Sequence, residues 1–139
     1  MFEQAVVYLS SAILAIMIFF SFVVAPVTFT SLDEDNARKF IRKIFPYYYN
    51  VNLFLSIILT LVFIILKSYQ LNFYLISCVT VLFVISNYVL MPLINKYRDE
   101  KQEKKFKYSH MLSVIINFLQ IGLLPVSYTH LRAHETDSY

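Results

Sequence analysis

Four apolar runs separated by short charged segments constrain this chain more than any other feature. A hydrocarbon core about 30 Å thick takes roughly 20 helical residues at about 1.5 Å each. Ala5 to Thr28, Tyr49 to Leu66 and Leu71 to Leu90 reach or approach that length, and Met111 to Leu124 is a shorter fourth run. In lipid every backbone N–H and C=O must be paired inside the protein, which leaves helices or a closed barrel. Runs this long predict helices, so the expected fold is all-α, an integral membrane four-helix bundle. The first run is too long for a signal-peptide core and is expected to stay in the mature protein. Charged residues make up 15% of the sequence, against about 25% in soluble domains, which argues against a soluble fold.

Composition also narrows the chemistry. With one glycine, Gly-rich phosphate loops cannot be written, because those turns need several residues without a β-carbon. Cys78 is the sole cysteine, so neither an internal disulfide nor a zinc cluster of cysteines can form. The formal charge of +3 beside long apolar runs is read as a signature of membrane orientation, with no nucleic-acid partner expected.

The basic residues are unevenly placed. Arg38, Lys39, Arg42 and Lys43 follow the first run, and Lys96, Arg98, Lys101, Lys104, Lys105 and Lys107 follow the third. The segment between the second and third runs holds only Lys67. Short loops rich in Lys and Arg stay on the cytoplasmic side, so both basic loops are expected there, with both termini outside and a bacterial inner membrane as the setting. Tyr47, Tyr48, Tyr49, Tyr69, Tyr74, Tyr97 and Tyr108 lie near the ends of the runs and read as interface anchors.

Within the first basic loop, Ser31-Leu-Asp-Glu34 fits a capping box that starts a helix. Ala37, Phe40, Ile41, Ile44 and Phe45 then recur at helical spacing between the basic residues. This predicts an interfacial amphipathic helix between spans one and two, lying on anionic lipid headgroups through Arg38, Lys39, Arg42 and Lys43 with Tyr48 and Tyr49 beside them. Pro46 is expected to end it.

Polar residues inside the runs share helix faces: Asn52, Ser56 and Thr60; Ser77, Thr80 and Asn87; His110, Ser113, Asn117 and Gln120. Such faces should point into the bundle. Most read as packing contacts, while the fourth set offers donors and acceptors over about three turns and makes His110, Ser113 and Asn117, with Asn87 and Asn52, the candidate ligand-binding residues. No nucleophile, base and orienting acid occur together, so no enzyme is expected and no catalytic residue is assigned. No metal site and no cofactor are expected either. His110 alone could serve as a haem or metal ligand, with a second copy in a homo-oligomer supplying another.

Residues 126–139 follow the fourth run without turn logic. Val126-Ser-Tyr-Thr-His-Leu-Arg-Ala-His-Glu-Thr136 resembles one reading frame of a transposase-end sequencing adapter. Residues 1–125 are accordingly expected to be a four-span membrane domain with a truncated fourth span, and 126–139 a non-native tail.

Phe19-Phe-Ser-Phe-Val-Val-Ala-Pro26-Val-Thr-Phe29, Ala37 through Phe45-Pro46-Tyr-Tyr-Tyr49, Pro92-Leu-Ile-Asn95-Lys-Tyr-Arg98-Asp99 and His110-Met-Leu-Ser113-Val-Ile-Ile-Asn117 together resemble the transmembrane-protein-205-like family, catalogued as domain of unknown function 4149. More distantly the chain is similar to four-helix membrane proteins of the copper-resistance D type, some of which bind haem through histidine. Many family members carry Gly where Arg38 follows Ala37 here. The resemblance implies four spans and assigns no activity. The remaining expectation is a non-enzymatic membrane protein that binds or handles a small solute, ion or lipid. Its rivals are a haem or metal redox protein using His110 and a structural or partner-binding subunit.

Overall fold

The computed structural model describes residues 1–136, and their side chains as far as Thr129. It is a helical bundle made of α1 (Phe2–Phe19), α2 (Ala25–Ser31), α3 (Glu34–Ile65), α4 (Leu71–Ile85), α5 (Met91–Asp99) and α6 (Glu103–Thr136). A π-helical turn, Phe20–Val24, joins α1 to α2, and another, Ser86–Leu90, joins α4 to α5. Four helical stretches are long and apolar enough to cross a membrane: Phe2–Ser31, Glu34–Ile65, Leu71–Asp99 and Glu103–Thr129. Large apolar side chains such as Phe22, Phe54, Leu61, Val81, Ile115 and Leu119 face outward, as a lipid solvent requires.

The two π turns have one cause. Pro26 and Pro92 each lack an N–H, and each ring crowds the carbonyl four residues back. Widening the preceding turn relieves that clash. The Ala25 N–H reaches back five residues to the Phe20 carbonyl, and the Met91 N–H reaches the Ser86 carbonyl in the same way. In span one, Thr28 and Thr30 also donate to the Val24 and Pro26 carbonyls at 2.7 and 2.9 Å.

These turns belong to a wider internal repeat. From Phe2 to Val24 the buried positions are Val6, Ser10, Ile13, Met17 and Phe20, and moving each 66 places along gives Asn72, Ile76, Val79, Phe83 and Ser86, all buried, whereas buried Thr28 meets only half-buried Ile94 at that offset. Pro26 and Pro92 obey the same offset. In the partner helices an offset of 68 pairs Tyr48 with Ile116, Asn52 with Gln120 and Ser56 with Leu124, again all buried. The molecule is thus two similar helical hairpins. Consistent with this, α1 packs on α3 and α6, and α4 packs on the same two helices. The loops after α2 and α5 fall at one end, while Phe2 and Phe63 meet edge to face, 5.8 Å apart, at the other.

Apart from His110, which is exposed, the polar faces point inward, and they join helices. The Thr60 and Thr80 hydroxyls lie 3.1 Å apart, Thr80 also contacts the Ser56 carbonyl at 3.3 Å, and the Gln120 amide donates to the Val79 carbonyl at 3.1 Å. Gly122 does not serve close packing, for a β-carbon there would meet nothing within 4 Å.

Three expectations are corrected. The helix after span one is capped by Asp33, whose carboxylate accepts from the Asn36 backbone and side-chain amides, while Ser31 ends α2. These bonds hold the Asp33 carboxyl below its ordinary range. Pro46 does not stop the helix, and the amphipathic stretch that was to lie on the membrane is the first part of α3 itself. Ala37, Ile41 and Phe45 continue at four-residue steps into Tyr49 and Leu53, so one inward stripe spans the proline, and packing outweighs the local penalty. Tyr48 and Tyr49 are accordingly buried in an aromatic cluster with Phe20 and Phe45, not placed at the lipid interface. As for the tail, α6 continues through Val126 to Thr136, and the side chains from His130 onward lie outside the described residues.

Candidate functional site

A cavity of about 480 Å³ opens at the end of the bundle that carries the two basic loops. Its size lies within the roughly 300–1,000 Å³ common for small-molecule sites. Each span contributes a wall: Phe20, Ser21, Ala25 and Phe29 from the first; Arg38, Ile41, Arg42, Phe45, Tyr48 and Tyr49 from α3; Met91, Ile94, Asn95 and Arg98 from α5; Phe106, His110, Ser113, Val114, Asn117 and Phe118 from α6. The prolines place two of these walls, since each π turn sets the rotation of the short helix beyond it. From Arg38 to Tyr48 the site extends ten helical residues, roughly 15 Å at about 1.5 Å per residue.

The deep end is polar and internally bonded. Tyr48 donates its hydroxyl proton to Asn117 Oδ1 at 2.7 Å, and Asn117 Nδ2 donates to Ser21 Oγ at 2.8 Å, so one bonded chain ties α3, α6 and the π turn of span one. Phe20 stacks on Tyr48 with ring centroids 4.2 Å apart, and Phe45 meets Phe20 edge to face at 5.1 Å. Higher up, the Ser113 hydroxyl donates to the His110 carbonyl at 2.7 Å, and the His110 ring stacks on Phe106 at 5.8 Å with planes 7° apart.

The outer end is cationic. Arg38 pairs with Glu34, Arg42 pairs with Asp99 and also donates to the Asn95 carbonyl at 3.3 Å, and Arg98 lies 3.7 Å from Glu34. The Arg98 guanidinium also sits 4.7 Å from the centroid of the Phe106 ring. Glu34 and Asp99 are 77% and 62% exposed and stay outside the cavity, so its lining holds three arginines and no carboxylate. The Nε atoms of Arg38 and Arg42 are shielded from solvent and have no acceptor.

Of the candidate ligand residues, His110, Ser113 and Asn117 come together in this wall. Asn52 and Asn87 do not: Asn52 is fully buried and donates to the Tyr48 carbonyl at 2.8 Å, and Asn87 donates to Asn50 Oδ1 at 2.8 Å. Of the four basic residues assigned to the membrane surface, Arg38 and Arg42 line the cavity, while Lys39 and Lys43 are exposed. Sequence reasoning missed Arg98, Ser21 and Phe106 as site residues. A readable sign did exist, because Arg38, Arg42 and Arg98 are all the arginines before residue 126, and no lysine lines the cavity. Among the described residues no group of three or more His, Cys, Asp and Glu is placed to hold a metal ion.

In comparisons with known proteins, residues 8–103 match the family model described as Domain of unknown function (DUF4149). No curated protein and no solved structure matches the chain.

Proposed function

The chain belongs to the DUF4149 family, a description that carries no activity, and from the chemistry of the cavity we propose a non-enzymatic multi-pass membrane protein that binds a small membrane-derived solute or lipid. The observation that carries this reading is a four-walled cavity of about 480 Å³ with aromatic sides, a bonded polar floor and a cationic mouth. Its polar groups suit recognition, since the Ser113 hydroxyl donates to the His110 carbonyl and Tyr48, Asn117 and Ser21 are bonded to one another. The basic loops support a cytoplasmic mouth and outward termini. Exposed Lys39 and Lys43 beside that mouth suit contact with anionic headgroups of a bacterial inner membrane.

The test is to extract the protein in mild detergent and identify co-purifying small molecules by mass spectrometry, for the natural sequence and for Ser113→Trp, which fills the cavity. A discrete molecule held by the natural protein and lost from a folded Ser113→Trp variant is expected. Equal retention by both would overturn the reading. A Soret band in the same sample, abolished by His110→Ala, would instead favour haem binding.

A further inference from the structure

We propose that the ligand of this cavity is an amphiphile carrying an oxyanion, a phosphate monoester or carboxylate, held by Arg38, Arg42 and Arg98 with its apolar body against the aromatic walls. This rests on the reading of the cavity as a binding site and names its ligand class. Two features of the mouth select an anion. Three guanidiniums face two carboxylates, leaving one positive charge in excess, and both carboxylates stand on the solvent side, outside the lining. Moreover, arginine and lysine are segregated: the three arginines before residue 126 line the cavity, and all eight lysines of the chain lie outside its wall. A demand for positive charge alone would be met by either residue. A planar fork that donates two parallel hydrogen bonds to one oxyanion is specific to arginine.

The remainder of the cavity selects an apolar body. Below the arginines the walls are largely aromatic and aliphatic, and on the floor the Tyr48 hydroxyl and one Asn117 amide hydrogen are already committed to the Tyr48–Asn117 and Asn117–Ser21 bonds. A bare inorganic anion would occupy the mouth and leave those walls uncovered. A neutral chain would cover the walls and leave the excess positive charge of the mouth without a counter-charge.

The experiment measures binding of radiolabelled dodecyl phosphate to the full chain in nanodiscs of zwitterionic lipid, against empty discs, with dodecanol and inorganic phosphate as competitors. Saturable binding is expected, displaced by unlabelled dodecyl phosphate at concentrations at least tenfold below those of dodecanol or inorganic phosphate. Arg42→Gln and Arg98→Gln should each weaken dodecyl phosphate at least tenfold while leaving labelled dodecanol binding as it was, which also reports that the variants are folded. Lys39→Gln, outside the wall, should change neither. If dodecanol competes as well as dodecyl phosphate, or the arginine variants bind normally, the oxyanion assignment falls while the cavity reading stands. Equal competition by inorganic phosphate overturns the amphiphile and leaves a free anion as ligand. If neither labelled chain binds saturably, this assignment and the cavity reading fall together.

Discussion

The Tyr48 hydroxyl donates to Asn117 Oδ1 at 2.7 Å, joining the long second helices of the two hairpins at the floor of the cavity. Asn117 passes the connection on to Ser21 at 2.8 Å, within the π turn of span one. Three spans therefore share one polar contact at the depth where a ligand would end.

This arrangement predicts energetic coupling. Interhelical hydrogen bonds in membranes average only about 0.6 kcal/mol, yet removing one partner strands the other at about 1–3 kcal/mol. Tyr48→Phe and Asn117→Leu should each lower the melting temperature in detergent, and the double variant should lose clearly less than the sum of the two. Additive losses would show that the residues act independently. Asn117→Leu should still insert and fold while holding less ligand per molecule.

A second prediction concerns the prolines. Alanine at position 92 restores a backbone donor and lets the Ser86–Leu90 turn tighten to an ordinary α-helix. Removing one residue of bulge rotates α5 by about 100° relative to α4, which carries Asn95 and Arg98 out of the wall. Pro92→Ala should keep its helix content by circular dichroism and lose at least tenfold in affinity for dodecyl phosphate. Unchanged affinity would mean that the π turn does not position the wall.

Orientation can be tested apart from binding. Reporter fusions in the loops around Asn36 and Glu100 should read as cytoplasmic and one near Tyr69 as external, because ten of the eleven basic residues before position 126 fall in the first two regions. The opposite pattern would remove the charge argument for a cytoplasmic mouth.

The residues themselves explain what was legible in the sequence. Span-length apolar runs follow from the bilayer's thickness, and inward polar faces at Asn52, Ser56, Thr80 and Gln120 follow from the cost of polar groups in lipid, so both could be read from spacing. His110, Ser113 and Asn117 shared a face by position alone and do line one wall. Pro46 misled because its local penalty is visible in sequence, whereas the stripe from Ala37 to Leu53 that offsets it matters only once packed. Tyr48 and Tyr49 misled for a related reason: a tyrosine near the end of an apolar run looks alike whether it faces headgroups or a neighbouring helix. The hairpin repeat was hidden because equivalent positions share burial and not identity, as Ser10 and Ile76 or Ser56 and Leu124 show. Arg98 escaped notice among lysines, where its residue type was the informative difference.

The most direct test of the cavity as a ligand site compares neighbouring positions on α6, Val114 in the wall and Ile115, which is 55% exposed on the outer face. A benzophenone amino acid placed at each should, on illumination in native membranes, report two different surroundings. At position 114 the account predicts one discrete adduct, suppressed by excess dodecyl phosphate, and at position 115 a spread of bulk lipids that the competitor leaves unchanged. The same lipid spread at both positions, insensitive to competitor, would contradict it.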